Sequence, residues 1–526
     1  KRQQSTLEGT LTFQHKFGEL LDMNLMAGMG RYLDSGDGSD ISYENANDHI
    51  QGSSVGMADG PFYPTSYKYK NEKRSQFVRG SFDLFGRYVV SASLRRDGTD
   101  KFFPSKKYAL FPSVSLAWKM NEESFIKNIS WINMLKLRAS YGETGSDNLG
   151  TTLYGIVTTV REDVQFNNNS VTYIPYILSG ANYEDVTWQK TVMKNIGLDF
   201  SIFRDRIWGS VDVFRNDVTH LLGTAPTELL GMHGTRPING GHYKRTGIDV
   251  SLNSLNLQTH DFKWTSQITM SHYNAVWIER MPNYDYQKYQ KRKNEPMNAF
   301  YYYKTTGIID MDKSNMPESQ RSLGPAACMP GYPIVEDKNG DGIIDVNDSY
   351  MDNMLPKLYF GFGNTFTWKN FDLDIFMYGQ LGVKKWNDAY SYSADAGNLS
   401  RGVDAHNVGI YSYNIWNTQT NTNGYFPGIA ISKSVALPEN LGFDYTRENA
   451  SYIRVRNITL GYNLGPKELS VFKGYIRGIR VFVDFQNPLT FTKYKGYDPE
   501  INTSSSNLTG GQYPQMRVYS IGAKLT

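Results

Sequence analysis

The sequence predicts an all-β fold, a transmembrane antiparallel β-barrel, on the basis of three observations. Apolar residues alternate with polar residues in segments of about 10 to 14 residues, which is the period of a strand with one apolar and one polar face. The connections between these segments fall into a short and a long class that alternate along the chain. Aromatic residues make up 14% of the 526 residues, and the 37 tyrosines among them suit boundaries between apolar and aqueous surroundings.

The composition excludes several other classes of protein. Lys and Arg number 55 against 52 Asp and Glu, so the chain has no basic surplus with which to bind nucleic acid. A single cysteine, Cys328, cannot form an internal disulfide, and no Cys/His spacing typical of a zinc site occurs. Mean hydropathy is −0.50, and no run of about 18 apolar residues exists that could form a membrane-spanning helix. Barrel strands are compatible with such a value, because every second residue faces an aqueous lumen.

The alternation predicts each strand in turn. In the segment 74–84, for example, Val78 and Phe82 share one face while Arg79 and Asp83 share the other. Applied along the whole chain, the same pattern predicts fifteen strands, over 5–17, 19–32, 74–84, 88–98, 108–119, 134–142, 190–203, 207–221, 239–254, 262–275, 358–369, 371–383, 451–462, 479–491 and 514–526.

The connections favour a membrane barrel over a soluble sandwich. Short connections lie near 18, 85–87, 120–133, 204–206, 255–261, 370 and 463–478, and long ones cover 33–73, 99–107, 143–189, 222–238, 276–357, 384–450 and 492–513. Outer-membrane barrels sort their loops in this way, with short periplasmic turns and longer extracellular loops, whereas a sandwich has no reason to do so. Fifteen strands are an odd number, and complete bacterial barrels take an even one, so we expect residues 1–526 to form part of a barrel.

One segment reads locally like a strand but breaks this alternation of loops. Counting residues 298–309 as a barrel strand would put a long loop on the side of the short turns. We therefore expect 298–309 to lie within the extracellular loop 276–357.

The same loop contains a calcium-binding pattern at residues 337–348. The template takes oxygen ligands at positions 1, 3, 5, 7 and 12 and a glycine at position 6, here Gly342. The alternative is an ordinary Asn/Gly-rich turn. The pattern predicts a structural Ca²⁺ ion held by Asp337, Asn339, Asp341, the carbonyl of Ile343, and Asp348.

Aromatic residues are concentrated in the predicted extracellular segments. Flat amphipathic rings suit sugar stacking or contact with a partner, and the alternative is packing within the loops or at the membrane boundary. Trp188 and Trp386 are the two single residues we predict to contact ligand. The full set is Phe62, Tyr63, Tyr67, Tyr69, Trp188, Tyr284, Tyr286, Tyr301, Tyr302, Tyr303, Trp386, Tyr390, Tyr392 and Trp416.

No pattern supports catalysis. The eight histidines include no HExxH motif, and no GxSxG motif occurs. Asp83, Asp199 and Asp212 occupy lumen-facing positions of the alternation, where a polar wall needs them for hydration. We therefore expect no enzymatic activity and no catalytic residue.

Several stretches resemble the SusC/RagA family of TonB-dependent outer-membrane transporters. They include Arg87 to Gly98 (RYVVSASLRRDG), Phe111 to Trp118 (FPSVSLAW), Leu135 to Gly142 (LKLRASYG) and Gln486 to Glu500 (QNPLTFTKYKGYDPE). These stretches keep their order across essentially the whole chain. The resemblance implies a barrel of about 22 strands with a plugged lumen, of which this chain would supply strands eight to twenty-two.

The resemblance also implies a function and partners. A nutrient oligomer, oligosaccharide first and peptide second, would be imported across the outer membrane of a Bacteroidetes-type bacterium. A SusD-like surface lipoprotein would cap the extracellular face, and TonB would act through a plug carried by an upstream N-terminal half of the transporter. The alternative is a surface binding or adhesion protein that uses the barrel as a platform.

Overall fold

The computed structural model describes most of the chain. It covers all residues except 44–61, 149–157, 161–165, 169–170, 174–175, 179–183, 227–234, 283, 285, 293, 388–413, 429–436, 466–467, 470–475, 497, 502–513 and 526. Among the described residues, no helix is both long and apolar enough to cross a membrane.

The structure confirms all fifteen predicted strands. In chain order they are β1 (Arg2–Phe17), β2 (Leu21–Tyr43), β3 (Phe62–Leu84), β4 (Tyr88–Thr99), β5 (Tyr108–Lys119), β6 (Ile132–Ser146), β7 (Gln189–Ile202), β8 (Ile207–Pro226), β9 (Thr235–Gln258), β10 (Phe262–Glu279), β11 (Leu358–Trp368), β12 (Phe371–Leu381), β13 (Tyr452–Leu464), β14 (Ile479–Thr492) and β15 (Val518–Leu525). They form one antiparallel sheet in which each strand pairs with its neighbours in sequence.

Several strand boundaries differ from the prediction, most of all those of β2 and β3. Strands β2 and β3 extend through much of the region 33–73 that was predicted to be a loop, and they remain paired as far as Tyr43 and Phe62. The prediction was wrong there because Gly36, Asp37, Gly38 and Ser39 read as turn residues. In a long hairpin, the main-chain pairing of two strands overrides that local preference.

Tight turns hold the register at one end of the sheet. The turn between β7 and β8 places Phe203, Arg204 and Asp205 at positive φ, and Asn133 Oδ1 accepts a hydrogen bond of 2.8 Å from the Arg204 N–H. Between β3 and β4, Gly86 adopts a φ of 66°, where a side chain would be unfavourable. These short connections lie at the end opposite the long loops, as predicted.

The outward face carries an apolar band with an aromatic residue at each edge. On β5 this face runs from Trp118 through Leu116, Val114 and Leu110 to Tyr108, and the apolar side chains between the two rings are exposed. Ten residues rise about 33 Å along a strand, and a strand tilt of about 40° reduces that to about 25 Å, the height of the apolar band in outer-membrane barrels. The band therefore fits the hydrocarbon layer of a membrane.

The first and last strands have exposed edges. Strand β1 pairs only with β2, and β15 pairs only with β14, within the described residues. Leu11 of β1 is 76% exposed and Ile521 of β15 is 79% exposed. Unpaired strand edges in a membrane are unfavourable, because the main-chain groups have no water to bind.

The connections carry short elements of their own. The strands are Thr158–Val160, Phe166–Asn168, Val171–Tyr173, Tyr176–Leu178, Ala299–Tyr303, Thr305–Ile308, Pro333–Val335, Tyr350–Asn353, Lys384–Trp386, Gly442–Phe443 and Arg447–Asn449. The helices are Ser124–Lys127 (α1) and the 3₁₀ turns Pro104–Lys106, Met120–Glu122, Lys288–Lys291, Glu318–Leu323, Pro325–Cys328, Val346–Asp348, Pro438–Asn440 and Asp444–Thr446. Ala299–Tyr303 pairs with Tyr350–Asn353 and Gly442–Phe443, so 298–309 lies outside the large sheet, as predicted.

Candidate functional site

The inward face of the sheet is a polar wall whose side chains bond to those of other strands. The hydroxyls of Ser93 on β4 and Ser113 on β5 lie 2.7 Å apart. Lys119 on β5 donates to Asp83 on β3 over 2.7 Å. The alternation places these side chains in the lumen, where they bond to one another.

The most extensive ion-pair network on this wall centres on one arginine. Arg138 on β6 donates to both carboxylate oxygens of Asp199 on β7, at 2.8 and 2.7 Å, and to Asp212 on β8 at 3.1 Å. Lys136 lies 3.7 Å from Asp199. Asp83, Asp199 and Asp212, predicted to face the lumen, therefore line a bonded wall.

Higher on the wall, a row of aromatic side chains follows β9 to β13. The Arg245 guanidinium lies 3.8 Å from the centre of the Tyr273 ring, and Tyr273 stacks parallel to Tyr359 at 5.8 Å. Farther along, Tyr378 meets Tyr452 edge to face at 6.0 Å. We call Tyr273, Tyr359 and Tyr378 the aromatic track.

A cavity of about 750 Å³ opens beside the aromatic track. Tyr359 and Tyr378 contribute rings to it, while Asp249, Ser271 and Gln380 contribute hydrogen-bonding groups. Its volume falls within the usual range for small-molecule sites, and a few polar groups among rings are typical of such sites. The sequence alone does not indicate this cavity, because its residues come from strands far apart in the chain.

A buried ion cluster fixes the segment 494–501 onto this wall. Arg454 on β13 donates to Asp498 at 2.7 Å and to Glu500 at 2.5 Å, and the side chains of Arg454 and Asp498 are almost fully buried. Tyr378 donates to Glu500 over 2.6 Å, which connects the cluster to the aromatic track. Lys385, from the preceding loop, donates to the carbonyls of Pro499 and Ile501.

The electrostatics of the cluster follow from this arrangement. Burial raises the pKa of Asp498, but N–H groups of Glu500 and Gln515 and the Arg454 guanidinium outweigh that effect, so the pKa lies below its usual value. Burial lowers the pKa of Lys385. This cluster was not predicted from the sequence, although the stretch 486–500 was one of those that carried the family resemblance.

Above the wall, the loop 276–357 packs into a compact layer with residues 437–451. One apolar cluster joins Tyr303, Val335, Ile344 and Leu437, and a second is built around Ile309, Tyr332 and Ile334. Thr305 donates both its N–H and its hydroxyl to Asp444, at 3.0 and 2.7 Å. We call these residues the loop layer.

A buried glutamine organises the centre of the loop layer. The Gln320 amide nitrogen donates to the carbonyls of Ala327 and Pro333, at 3.0 and 3.1 Å, and its oxygen accepts from the Val335 N–H at 3.0 Å. Gln320 is fully buried. Its side chain therefore satisfies three main-chain groups that would otherwise be unpaired.

Buried tyrosines complete the loop layer. Tyr303 donates to the carbonyl of Asp345 over 3.0 Å, and burial raises its pKa well above the usual value. Burial and the nearby Asp352 raise the pKa of Tyr302 to about 12. The Arg447 guanidinium lies 4.1 Å from the Phe300 ring and donates to Asp352. Tyr302 and Tyr303 therefore have the packing role that was the alternative to ligand contact.

The predicted calcium loop is folded around Asp337. Its two carboxylate oxygens accept from the N–H groups of Gly340 and Gly342, at 2.7 and 2.8 Å, and both glycines have positive φ. Asp341 accepts from the Ile343 N–H at 2.9 Å. Within the described part of the chain, no three His, Cys, Asp or Glu side chains are grouped to hold a metal ion.

Asp348, the predicted last ligand, is fully buried at the base of this loop. Its carboxylate accepts from the N–H groups of Lys338, Asn339 and Asp345, at 2.9, 3.3 and 2.8 Å. These bonds occupy most of its acceptor capacity and leave room for a single-oxygen contact with a cation. Oxygen-rich loops of this kind suit Ca²⁺, and the calcium assignment stays a prediction.

Comparison with known proteins decides the family. The family model for "TonB dependent receptor-like, beta-barrel" matches residues 2–487. The chain belongs to this family. TonB-dependent receptor barrels lie in the outer membrane, which agrees with the apolar band of the outward face.

The relatives confirm the resemblance to the SusC/RagA type. The chain is 28% identical to TonB-dependent receptor P3 of Formosa agariphila, over 98% of this chain and 52% of that protein. It is 27% identical to TonB-dependent receptor SusC of Bacteroides thetaiotaomicron, over 88% of this chain and 44% of the relative. The solved RagAB peptide transporter shares the fold, with a TM-score of 0.76 and 21% identity over 100% of this chain and 55% of that one. The chain thus spans about half the length of these relatives.

The structure describes the setting of Trp188, one of the two predicted ligand contacts of this TonB-dependent receptor barrel. The Trp188 ring is 8% exposed, meets Phe102 and Phe111 edge to face, and donates its N–H to the Lys107 carbonyl at 3.2 Å. That setting favours packing for Trp188. Trp386 belongs to the short strand Lys384–Trp386, paired with Arg447–Asn449.

The other predicted aromatic positions include buried and exposed side chains. Trp416 is buried against Gly331, whereas Tyr67 and Tyr284 are exposed. Tyr390 and Tyr392 lie outside the described residues. The exposed members remain candidates for contact with ligand or partner.

Proposed function

We propose that this chain forms the C-terminal wall of a SusC/RagA-type importer for a nutrient oligomer, oligosaccharide first and peptide second. The observation that carries the proposal is the cavity of about 750 Å³ beside the aromatic track. Sugar rings stack on flat aromatic faces, and their hydroxyls need both donors and acceptors. Tyr359 and Tyr378 offer such faces, and Asp249, Ser271 and Gln380 offer the polar groups.

A peptide is the second candidate for the imported ligand, because this chain shares its fold with RagAB. The solved RagAB structure is that of a peptide transporter. At 21% identity, the similarity between RagAB and this chain is one of fold. Peptide main chains also bind through paired donors and acceptors, so the polar groups of the cavity suit either ligand. The aromatic track favours the sugar.

Import itself requires partners beyond this chain. A SusD-like surface lipoprotein would cover the loop layer and trap ligand, and TonB would act through a plug. An upstream N-terminal half would contribute strands to the exposed edges of β1 and β15. The unpaired edges support this arrangement, because closure would satisfy their main-chain groups.

The test uses the native protein purified from outer membranes. Tyr273→Ala with Tyr359→Ala should weaken binding of a mixed pool of labelled oligosaccharides by about tenfold, roughly 1.4 kcal/mol. Tyr519→Ala, on the outward face and 63% exposed, serves as the control. Equal affinity of the double variant and the control variant would reject the cavity as the ligand site.

An uptake assay in living cells distinguishes import from adhesion. Uptake of the labelled pool should stop when TonB is deleted, while binding at the cell surface persists. Binding that is never followed by uptake would favour the adhesion platform. Repeating both assays with a peptide pool decides between the two ligand classes, and turnover of either pool by purified protein would reveal an enzyme.

We also propose that residues 337–348 bind a structural Ca²⁺ ion through Asp337, Asn339, Asp341, the Ile343 carbonyl and Asp348. Asp337→Ala with Asp341→Ala should increase protease sensitivity across 310–357 without unfolding the barrel. A chelator should do the same to the wild type. Identical digestion of all samples would count against the ion.

Trp188 and Trp386 remain proposed ligand contacts. Replacing either with Ala should weaken binding by about tenfold if its ring meets ligand. For Trp188 the readout must include protease sensitivity near 102–111, because loss of its packing would disturb Phe102 and Phe111. Unchanged ligand affinity of both variants would exclude Trp188 and Trp386 as ligand contacts.

A further inference from the structure

The outward face of the sheet carries a basic cluster at the extracellular edge of its apolar band. One row of paired residues crosses four strands, in the order Arg31, Arg74, Gly98 and Tyr108. Tyr108 is the aromatic residue at the upper edge of the band. Arg96, one outward position lower on β4, places its guanidinium 4.1 Å from the centre of the Tyr108 ring.

The charges in this cluster do not balance. Arg31 and Arg74 both donate to a single carboxylate, Glu72, at distances of 2.6 to 3.1 Å. The Glu72 side chain is 13% exposed, whereas those of Arg31 and Arg74 are 53% and 54% exposed. Among the described residues, no carboxylate lies within ion-pair distance of Arg96. Two of the three guanidinium groups therefore share one covered carboxylate, and the cluster presents net positive charge outward.

An apolar groove runs into the membrane band directly beneath the cluster. It has a volume of about 730 Å³ and is lined by Leu11, Met29, Val78, Leu94 and Leu110, with Arg96 at its upper end. These apolar side chains are 44 to 76% exposed. Ala27 and Gly28 form a shallow floor between them.

Gly98 lets the Tyr108 ring lie directly against the main chain of β4. A Cβ atom at this position would lie 2.3 Å from the Tyr108 ring, so the ring rests directly on the Gly98 main chain. That position holds the ring flat beneath the Arg96 guanidinium. Stacking on an aromatic face leaves the N–H groups of an arginine free to donate to a further anion.

We propose that Arg31, Arg74 and Arg96 bind the phosphate of a phosphorylated glycolipid of the outer leaflet, lipid A, whose acyl chains lie in the groove below. The vertical order of the parts matches such a lipid, since the apolar groove lies within the hydrocarbon layer and the guanidinium groups lie at headgroup height. Arginine binds phosphate oxygens with two parallel N–H groups, which makes it suited to this headgroup. The site rests on the membrane position of the barrel and is independent of the imported ligand.

The test measures lipid retained by the native protein in mild detergent, by native mass spectrometry. The probes are lipid A monophosphate and the same lipid after enzymatic removal of its phosphate. The wild type should retain the phosphorylated form, and Arg74→Gln with Arg96→Gln should weaken that binding by about tenfold. The dephosphorylated lipid should bind both proteins equally weakly.

A matched control separates a specific site from general charge. Lys127→Gln with Arg206→Gln removes the same charge at the end of the short turns, where both side chains are exposed. This control should retain lipid A monophosphate as the wild type does. Equal retention by the Arg74/Arg96 variant and the wild type would overturn the proposal.

Free phosphate tests whether the lipid is required. Inorganic phosphate at millimolar concentration should fail to displace lipid A monophosphate from the wild type, because it cannot use the groove. Displacement at those concentrations would show a simple anion patch and would also overturn the proposal. Ligand uptake by the Arg74/Arg96 variant is measured in parallel and should be unchanged, so this result stands apart from the import experiments.

Discussion

The wall and the loop layer are stabilised in different ways. Side chains of the wall bond mainly to the next strand, as Ser93 does to Ser113, and each bond repeats a local pattern. The loop layer depends on contacts between distant residues, since Thr305 bonds to Asp444 and Tyr303 packs against Leu437. Single substitutions should therefore have small effects on the wall. They should have large effects on the loop layer and on the attachment of 494–501 to the wall.

The largest effect is expected at the cluster that joins 494–501 to the wall. Arg454→Met leaves Asp498 buried without its partner, which should cost about 3 to 5 kcal/mol of local stability. Hydrogen exchange of residues 494–501 should rise sharply while the strands stay protected. Arg480→Met, which removes a more exposed partner of Asp372 on the wall, is the control. Similar exchange in both variants would contradict the distinction between wall and attachment.

The same attachment should depend on pH. The pKa of Asp498 is lowered from 3.8, so its contribution to stability is present above that value and is lost as the pH falls through the lower folded pKa. The protection of 494–501, which is the exchange rate relative to the intrinsic rate at the same pH, should therefore match at pH 7 and pH 5 and fall only in stronger acid. Asp498→Asn should remove this acid dependence. A loss of protection already present between pH 7 and pH 5 would rule out Asp498 as the responsible group.

An intermediate effect is expected inside the loop layer. Gln320→Ala leaves the carbonyls of Ala327 and Pro333 and the Val335 N–H without partners, at a cost of about 2 to 3 kcal/mol. Limited proteolysis should cut within 310–335, and the thermal transition of the barrel should not move. Gln267→Ala replaces an exposed side chain of the wall and should change neither the proteolysis pattern nor the thermal transition. A lower barrel transition in Gln320→Ala would show that the two regions unfold together.

The smallest effect is expected on the wall. Ser93→Ala removes one hydroxyl pair from a partly hydrated face, and we expect a loss of about 0.5 kcal/mol or less. Urea denaturation in detergent micelles measures it. A loss comparable to that of Gln320→Ala would mean that the wall is more cooperative than its local bonds indicate.

The strands of the wall were predicted correctly because the sequence pattern that indicates them is local. Strict alternation and short turns determine strand number, order and facing, and Asp83, Asp199 and Asp212 lie where the pattern places them. Strands β2 and β3 were predicted too short, because Gly36 and Gly38 read as turn residues although the main chain continues in a sheet.

The candidate site was only partly predictable. The calcium pattern at 337–348 is local and was visible. Arg454 and Asp498 are 44 residues apart, and the stretch 486–500 that contains Asp498 does not indicate its partner. The aromatic track takes one tyrosine from each of three strands, and its members look like ordinary strand residues in sequence. Trp188 was selected for its type, and its burial depends on Phe102 and Phe111 from another connection.

The hairpin of β2 and β3 has a practical consequence for work on living cells. Above the row of Arg31 and Arg74, its strands stay paired for twelve more residues each, from Tyr32 and Lys73 to Tyr43 and Phe62. That length corresponds to about 40 Å along the strands, or about 30 Å above the lipid headgroups at the usual tilt. An antibody or a bacteriophage approaching the cell would meet this ribbon early. An epitope tag inserted at its tip would report the amount of protein at the cell surface while leaving the membrane-embedded strands untouched.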